Sequence, residues 1–200
     1  MEARRLGAGI NLDDISHISD LERQAGLPDV LSFRYNPGPL RAGNTIIGKP
    51  EEAKYGLTKA QIVDAYLIER NKGVRRFGLH TMVASNELDP RYFVETAKML
   101  VDLAGEIYEE HGIQMEFVNI GGGIGIPYKP DEDPVNIEEV SAGIREAYER
   151  QIAGKGLAPM RFAMECGRYI TGPHGYLVSK LRHLTVIYRQ NAGLDAMMSR

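Results

Sequence analysis

Tryptophan is absent from the 200 residues and cysteine occurs once, at Cys166. A lone cysteine excludes an intramolecular disulfide framework and fits a reducing compartment. No apolar run approaches the ~18 residues that a membrane span needs. No secretory leader is expected, because Met1-Glu2-Ala3-Arg4-Arg5 is followed by no apolar segment. Charge of one sign is scarce: 24 Lys and Arg against 27 Asp and Glu give a net charge of −3. That balance offers no basis for nucleic acid or an acidic membrane as a partner. Internal repeats and low-complexity segments are missing too. The expectation is a soluble, cytoplasmic protein whose 43% hydrophobic content suffices for a core. Its length suits one large domain or most of one.

Glycine is where the chain concentrates its information. Asn119-Ile120-Gly121-Gly122-Gly123-Ile124-Gly125-Ile126-Pro127-Tyr128 follows a short apolar run, residues 115–118, that reads as a buried strand. Glycines at four of five positions let the backbone approach a ligand closely, with N–H groups open to an anion such as phosphate. A tight glycine turn without a ligand is the competing reading. The pattern is not the dinucleotide fingerprint, since no helix opens directly after it. Pro127, Pro130 and Pro134 keep the chain irregular to about Asn136.

The rest of the chain alternates strand and helix. Residues 8–13 read as a strand and 15–25 as a helix that Gly26 stops. A second strand over 30–36 is closed by Pro37-Gly38-Pro39, and a long loop runs to Leu57. Thr58 and Gln61 form a capping box for a helix bearing Ile62, Ala65, Tyr66 and Ile68, which ends at Gly73. Residues 76–84 read as the third strand. Asp89-Pro90 then opens a helix with Phe93, Ala97, Leu100, Ala104 and Tyr108 on one face, ending at Gly112.

After the glycine run, Asn136 and Glu139 cap a helix carrying Ile137, Val140, Ile144, Ala147 and Tyr148. Residues 161–165 make the fifth strand. Beyond Gly172-Pro173 the helical period disappears, and 176–188 reads as antiparallel strand. This is βαβ rhythm with a parallel sheet. A (β/α) barrel suits it better than a doubly wound sheet, because glycine and polar residues gather just after successive strands. Five strands do not close an eight-stranded barrel, so the expectation is the middle of something longer.

Three ordered segments carry a resemblance. Gly78-Leu79-His80 with Ser85, the glycine run through Tyr128, and Glu165-Cys166-Gly167-Arg168 continuing to Tyr176 together resemble diaminopimelate decarboxylase. Phe33-Arg34-Tyr35-Asn36-Pro37-Gly38 and Lys54-Tyr55-Gly56 resemble two further segments of that family. The resemblance runs roughly from Gly7 to Asp195. It implies an α/β chain: about five strands of a (β/α)8 TIM barrel of the alanine-racemase type, with the start of a C-terminal β-domain. The division it implies is 1–172 for the partial barrel and 173–200 for the junction and β-domain start.

It also implies pyridoxal 5'-phosphate (PLP) as cofactor, an amino-acid substrate and a homodimeric parent enzyme that converts meso-diaminopimelate to L-lysine. Cofactor-binding residues by resemblance are Ser85, Gly121, Gly122, Gly123, Glu165, Cys166, Gly167 and Arg168. The glycines and Ser85 would hold the phosphate, and Glu165 would face the pyridine nitrogen. Arg168 would contact phosphate or a substrate carboxylate. A Glu165–Arg168 ion pair at the strand end is the plainer alternative. Arg34 either points into the barrel mouth or is solvated. Tyr128 and Tyr169 either line the site or merely pack.

Departures and absences qualify this. Many family members have a second histidine where this chain has Met82, whose thioether can still cover a π-face, so His80 does not inherit the ring-stacking role automatically and reads equally as a satisfied core histidine. Cys166 replaces a proline and reads as a buried substitution, not a nucleophile. The family's Schiff-base lysine segment is not found, and none of Lys49, Lys54, Lys59, Lys72, Lys98, Lys129, Lys155 and Lys180 sits in a matching context. No catalytic residue and no metal site are therefore expected in this chain, and in isolation it should be inactive. Two alternatives stand beside the parent activity. One is a sister decarboxylase acting on carboxynorspermidine, arginine or ornithine; the other is a non-catalytic barrel fragment that binds PLP or phosphate.

Overall fold

Apolar residues spaced for strands and helices generate a regular β/α succession in the computed structural model, which describes residues 2–42, 48–157 and 159–195. Residues 43–47 of the long loop and 196–200 of the expected β-domain start lie outside the described residues. After a short helix α1 (Glu2–Arg5) come β1 (Ile10–Leu12), α2 (His17–Ala25), β2 (Val30–Arg34) and α3 (Lys59–Asn71). Then follow β3 (Arg76–His80), α4 (Pro90–His111), β4 (Met115–Gly122), α5 (Ile137–Tyr148), β5 (Arg161–Glu165) and α6 (Gly167–Thr171). A hairpin, β6 (Leu181–Val186) and β7 (Gln190–Leu194), completes the described chain.

The starts of α3, α4 and α5 have local causes. The Thr58 hydroxyl accepts from the Gln61 backbone N–H, and the Gln61 side chain accepts from the Thr58 N–H. Asp89 accepts from Arg91 N–H ahead of Pro90, and Asn136 accepts from Glu139 N–H. Gly112 closes α4 in the left-handed conformation that a side chain would disfavour.

The five strands are parallel and lie in the order β1-β2-β3-β4-β5. Sequential order without reversal is the succession of a barrel, not of a doubly wound sheet, whose strand order turns back at a switch point. Alternation along the strands divides the sheet into two faces. Leu31, Phe33, Phe77, Leu79 and Val118 join Ile62, Tyr66, Leu100 and Val101 in one buried cluster beneath the helices. Tyr66 stands edge-on to Phe33 and Phe77 at 5.2 and 5.5 Å, and its hydroxyl donates to the Gly78 carbonyl at 2.6 Å. The opposite, concave face carries Asn11, Ser32, Arg34, His80, Phe117, Asn119 and Glu165.

Several expectations need correction. The third strand stops at His80 instead of Ala84, because residues 81–84 leave the ladder to cross the glycine run. The glycine strand is longer than expected and includes Gly121 and Gly122. Ile68, Tyr108 and Ile137 are exposed, whereas Glu69 is fully buried on α3. The antiparallel region is a hairpin confined to 181–194, and residues 176–180 form no strand.

Candidate functional site

Polar side chains in a sheet interior must find partners. On the concave face they find one another. The Ser32 hydroxyl donates to Asn11 Oδ1 at 2.8 Å, and Asn11 Nδ2 lies 3.2 Å from His80 Nδ1. His80 Nε2 lies 3.3 Å from Glu165 Oε1, off the line of a well-formed hydrogen bond. Asn119 Nδ2 donates to the same Glu165 oxygen at 2.9 Å. Asn119 Oδ1 in turn accepts from the Gly121 N–H at 2.9 Å. One chain of contacts therefore runs from β2 through β1, β3 and β5 to the glycine run of β4.

A cavity of about 270 Å³ opens on this face, lined by Asn11, Ser32, His80, Phe117, Asn119 and Glu165 among others. Phe117 covers Gly78, where a Cβ would collide with its ring. Glu165 has 55% of its side chain exposed, whereas His80 has 11%. Burial pushes the His80 imidazole below its ordinary value, and Arg34 pushes the same way, while the Glu165 and Asp13 charges oppose them.

The glycine run is packed from both sides. Gly121 and Gly123 have φ of +76° and +90°, and a Cβ on them would strike the Thr81 and Ala84 carbonyl oxygens. A Cβ on Gly122 would strike the backbone of Glu165. The register of β4 against β5 shifts between Asn119 and Gly122, so the strand bulges where the glycines begin. Two further amides of the run are engaged inside the protein: the Gly122 N–H donates to the Met82 sulfur at 3.1 Å, and the Gly125 N–H to the Glu87 carbonyl at 2.9 Å. Glu87 N–H donates to the Gly123 carbonyl at 2.8 Å, which brings the Ser85 segment alongside Gly123. Asn86 holds a left-handed φ of 52° while its side-chain oxygen accepts from the Ile126 N–H at 3.0 Å.

The remaining candidates fall nearby. Arg168 lies on α6 with its guanidinium carbon 5.9 Å from the Tyr128 ring centroid, next to the end of the glycine run. Among the described residues Glu165 makes no ion pair with Arg168; its ionic neighbour is His80. Cys166, read from sequence as a buried substitution, is half-buried and packs against the cluster of Ala84, Phe93 and Ile124. Burial and the neighbouring Glu165 push its thiol up, which disfavours the thiolate. Gly167 opens α6. Arg34 is held at the strand ends, its guanidinium 3.8 Å over Tyr55 and 3.7 Å from Asp13. Tyr128 is largely exposed and Tyr169 packs with the Cys166 cluster.

The polar contacts of Asn11, Ser32 and Asn119, and the Met82 sulfur as a hydrogen-bond acceptor, are not signalled by the motifs. A polar residue at the concave parity of an apolar strand was the available signal for Asn119.

As a donor set this arrangement suits a phosphorylated pyridine. A carboxylate matches a protonated ring nitrogen, and a guanidinium such as that of Arg168 matches an oxyanion. Among the described residues no lysine lines the concave cavity; Lys59, Lys72, Lys98 and Lys155 instead pair with Glu106, Glu22, Glu95 and Glu109. Among the described residues no cluster of three metal-ligating side chains occurs, and no helix is long and apolar enough to cross a membrane.

Residues 2–172 match the family described as pyridoxal-dependent decarboxylase, pyridoxal binding domain. The chain is 34% identical over 197 residues to Protein TabA of Pseudomonas amygdali pv. tabaci, covering 98% of this chain and 46% of that protein. It is 33% identical over 192 residues to the diaminopimelate decarboxylase of Methanothermobacter thermautotrophicus, covering 95% and 45% respectively. Among solved structures, the diaminopimelate decarboxylase of M. jannaschii in co-complex with L-lysine superposes with a TM-score of 0.73 at 25% identity, covering 93% of this chain and 44% of that one. This chain thus spans less than half the length of these relatives. It belongs to the pyridoxal-dependent decarboxylase family, whose cofactor is pyridoxal phosphate, and its five parallel strands are part of that family's barrel.

Proposed function

We propose that this chain is the pyridoxal-binding portion of a diaminopimelate decarboxylase, a carboxy-lyase that releases CO₂ from meso-2,6-diaminopimelate to give L-lysine. The observation that carries the reading is the convergence of Glu165, Asn119 and the glycine run at the ends of β4 and β5. A relative named for that activity at 33% identity supports it. So does the bound L-lysine of a solved homologue, which is the product of the same reaction.

Bound pyridoxal phosphate supplies the electron sink for the pair left behind as CO₂ departs. The residues of this chain divide the remaining work. Glu165 holds a proton at the ring nitrogen, because a carboxylate beside it stabilises the charged form. Gly121, Gly122, Gly123 and Ser85 would hold the phosphate, the Gly122 amide leaving the Met82 sulfur to do so, with Cys166 and Gly167 at its edge. Arg168 binds phosphate or a substrate carboxylate through its planar fork. In this reading residues 1–172 are the barrel portion and 173–200 the junction to a β-domain, in a cytoplasmic homodimer that binds neither nucleic acid nor membrane.

A PLP titration of the purified chain, followed by borohydride reduction and intact mass, tests the cofactor site. Saturable binding without a covalent adduct is expected, and Arg168→Ala should weaken it about tenfold, the loss of one charge-assisted contact. Absence of saturable binding overturns the site assignment. The complete reading frame assayed against meso-diaminopimelate, carboxynorspermidine, arginine and ornithine tests the substrate.

A second reading rests on the lysines. Since none of the described residues lining the cavity is a lysine, the chain by itself is a PLP-binding or phosphate-binding barrel fragment without turnover. Lysine formation by this chain alone would contradict it.

A further inference from the structure

Outside the residues already assigned, the concave face holds a polar chain that the cofactor reading does not use: Ser32, Asn11 and His80. Its hydrogen bonds have a direction. Asn11 Oδ1 accepts from the Ser32 hydroxyl, so the Asn11 amide nitrogen is the donor toward His80 Nδ1. An imidazole whose Nδ1 accepts carries its proton on Nε2 when neutral. That nitrogen is buried and its near polar neighbour is Glu165 Oε1 at 3.3 Å. Asn119 Nδ2 approaches the same oxygen from β4 at 2.9 Å. Two donors on neighbouring strands therefore converge on one oxygen of a carboxylate that is otherwise half open to solvent.

We propose that His80, fixed as the Nε2–H tautomer by Asn11 and Ser32, is a positioning residue that orients Glu165 by binding Oε1 and leaves Oε2 for a protonated ring nitrogen. The proposal rests on the reading of Glu165 as the partner of the pyridine nitrogen. The off-line approach of Nε2 suits it, since such bonds often tighten only when the ligand is in place. A neutral imidazole has a further advantage over a lysine or arginine here. It donates a hydrogen bond without adding a positive charge that would compete with the pyridinium for Glu165. Arg34 and Asp13 are the other charged groups acting on the imidazole, and they pair with each other at 3.7 Å.

The test combines a tautomer measurement with cofactor affinity. Nitrogen-15 NMR of the purified chain without added PLP should show His80 protonated at Nε2 and bare at Nδ1 around neutral pH. Asn11→Asp replaces the donor with an acceptor and should move the proton to Nδ1 or charge the ring. PLP affinity should fall about tenfold in Asn11→Asp and His80→Leu, the loss of one hydrogen bond to a charged group, and return in His80→Gln, whose amide N–H can reach where Nε2–H stood. An Nδ1–H tautomer in the unsubstituted protein overturns the proposal, as do equal affinities for the Leu and Gln variants. Absence of PLP binding by the unsubstituted protein overturns the cofactor reading instead, and the tautomer and its response to Asn11→Asp then decide the His80 contact.

Discussion

Two stretches of this chain are rich in strand-forming residues, and they meet opposite environments. The parallel strands β1–β5 place Leu31, Phe33, Leu79 and Val118 wholly out of solvent under helices. The hairpin β6–β7 leaves Leu181, Leu184, Val186 and Leu194 exposed, with Tyr176, Leu177, Val178, Ile187 and Tyr188 open beside it. Its strands are paired, yet a two-stranded ribbon offers no layer to cover a face. Strand propensity is thus satisfied in both regions, while burial is achieved only where a β/α crossover returns a helix to the sheet. The difference separates two contributions that composition alone runs together: backbone pairing and the removal of apolar surface from water.

The contrast can be broken most forcefully in the barrel part. Phe33→Ala removes a fully buried ring and its edge contact with Tyr66, and should cost about 3–5 kcal/mol in urea denaturation. A loss below 1 kcal/mol would mean that the parallel sheet is no better consolidated than the hairpin.

Next in size is Glu69, a carboxyl sealed into α3 with neither oxygen hydrogen-bonded among the described residues. Burial pushes it up to about 7, from an ordinary value near 4.5, although Lys72 draws it down. The folded protein then holds a proton that the unfolded chain gives up. Stability contributed by the protonated acid is complete below pH 4.5 and falls as pH rises from about 4.5 to about 7, by about 3 kcal/mol at most. Glu69→Met should flatten that part of the pH profile and raise stability at pH 8. An unchanged profile would remove Glu69 as its source.

The smallest effect belongs to the hairpin. Val186→Ser should alter stability by no more than about 0.5 kcal/mol, since an exposed strand residue has little apolar burial to lose. A larger loss would show that another surface covers this face.

Legibility in the sequence followed the range of the interactions. Thr58 with Gln61, Asp89-Pro90 and Asn136 with Glu139 are local, and each opens the helix expected of it. The β/α alternation is nearly as local, and the sequential strand order agrees with it. The end of β3 at His80 was not readable, because the crossing of 81–84 over the glycines depends on β4. Burial of Glu69 in place of Ile68 was hidden for a related reason: hydropathy favours the opposite choice, and the helix's orientation on the sheet decides it. Most distant of all is the chain from Ser32 to Glu165, whose members are spread over all five strands. The glycines, Glu165 and Arg168 are legible in motifs, and Asn119 heads the glycine run; the contacts among Asn11, Ser32 and Asn119 emerge only when the strands are set side by side.

The Met82 sulfur has one consequence for the glycine run beside it. A thioether is among the weakest acceptors that a protein offers to a backbone N–H. By resting the Gly122 amide on it, the fold keeps that donor out of unrelieved isolation without binding it firmly. In the proposed phosphate site, transfer of the amide to an anionic oxygen would exchange a poor partner for a strong one, with little lost in the release. The sulfur would then act as a placeholder, soft enough to be displaced.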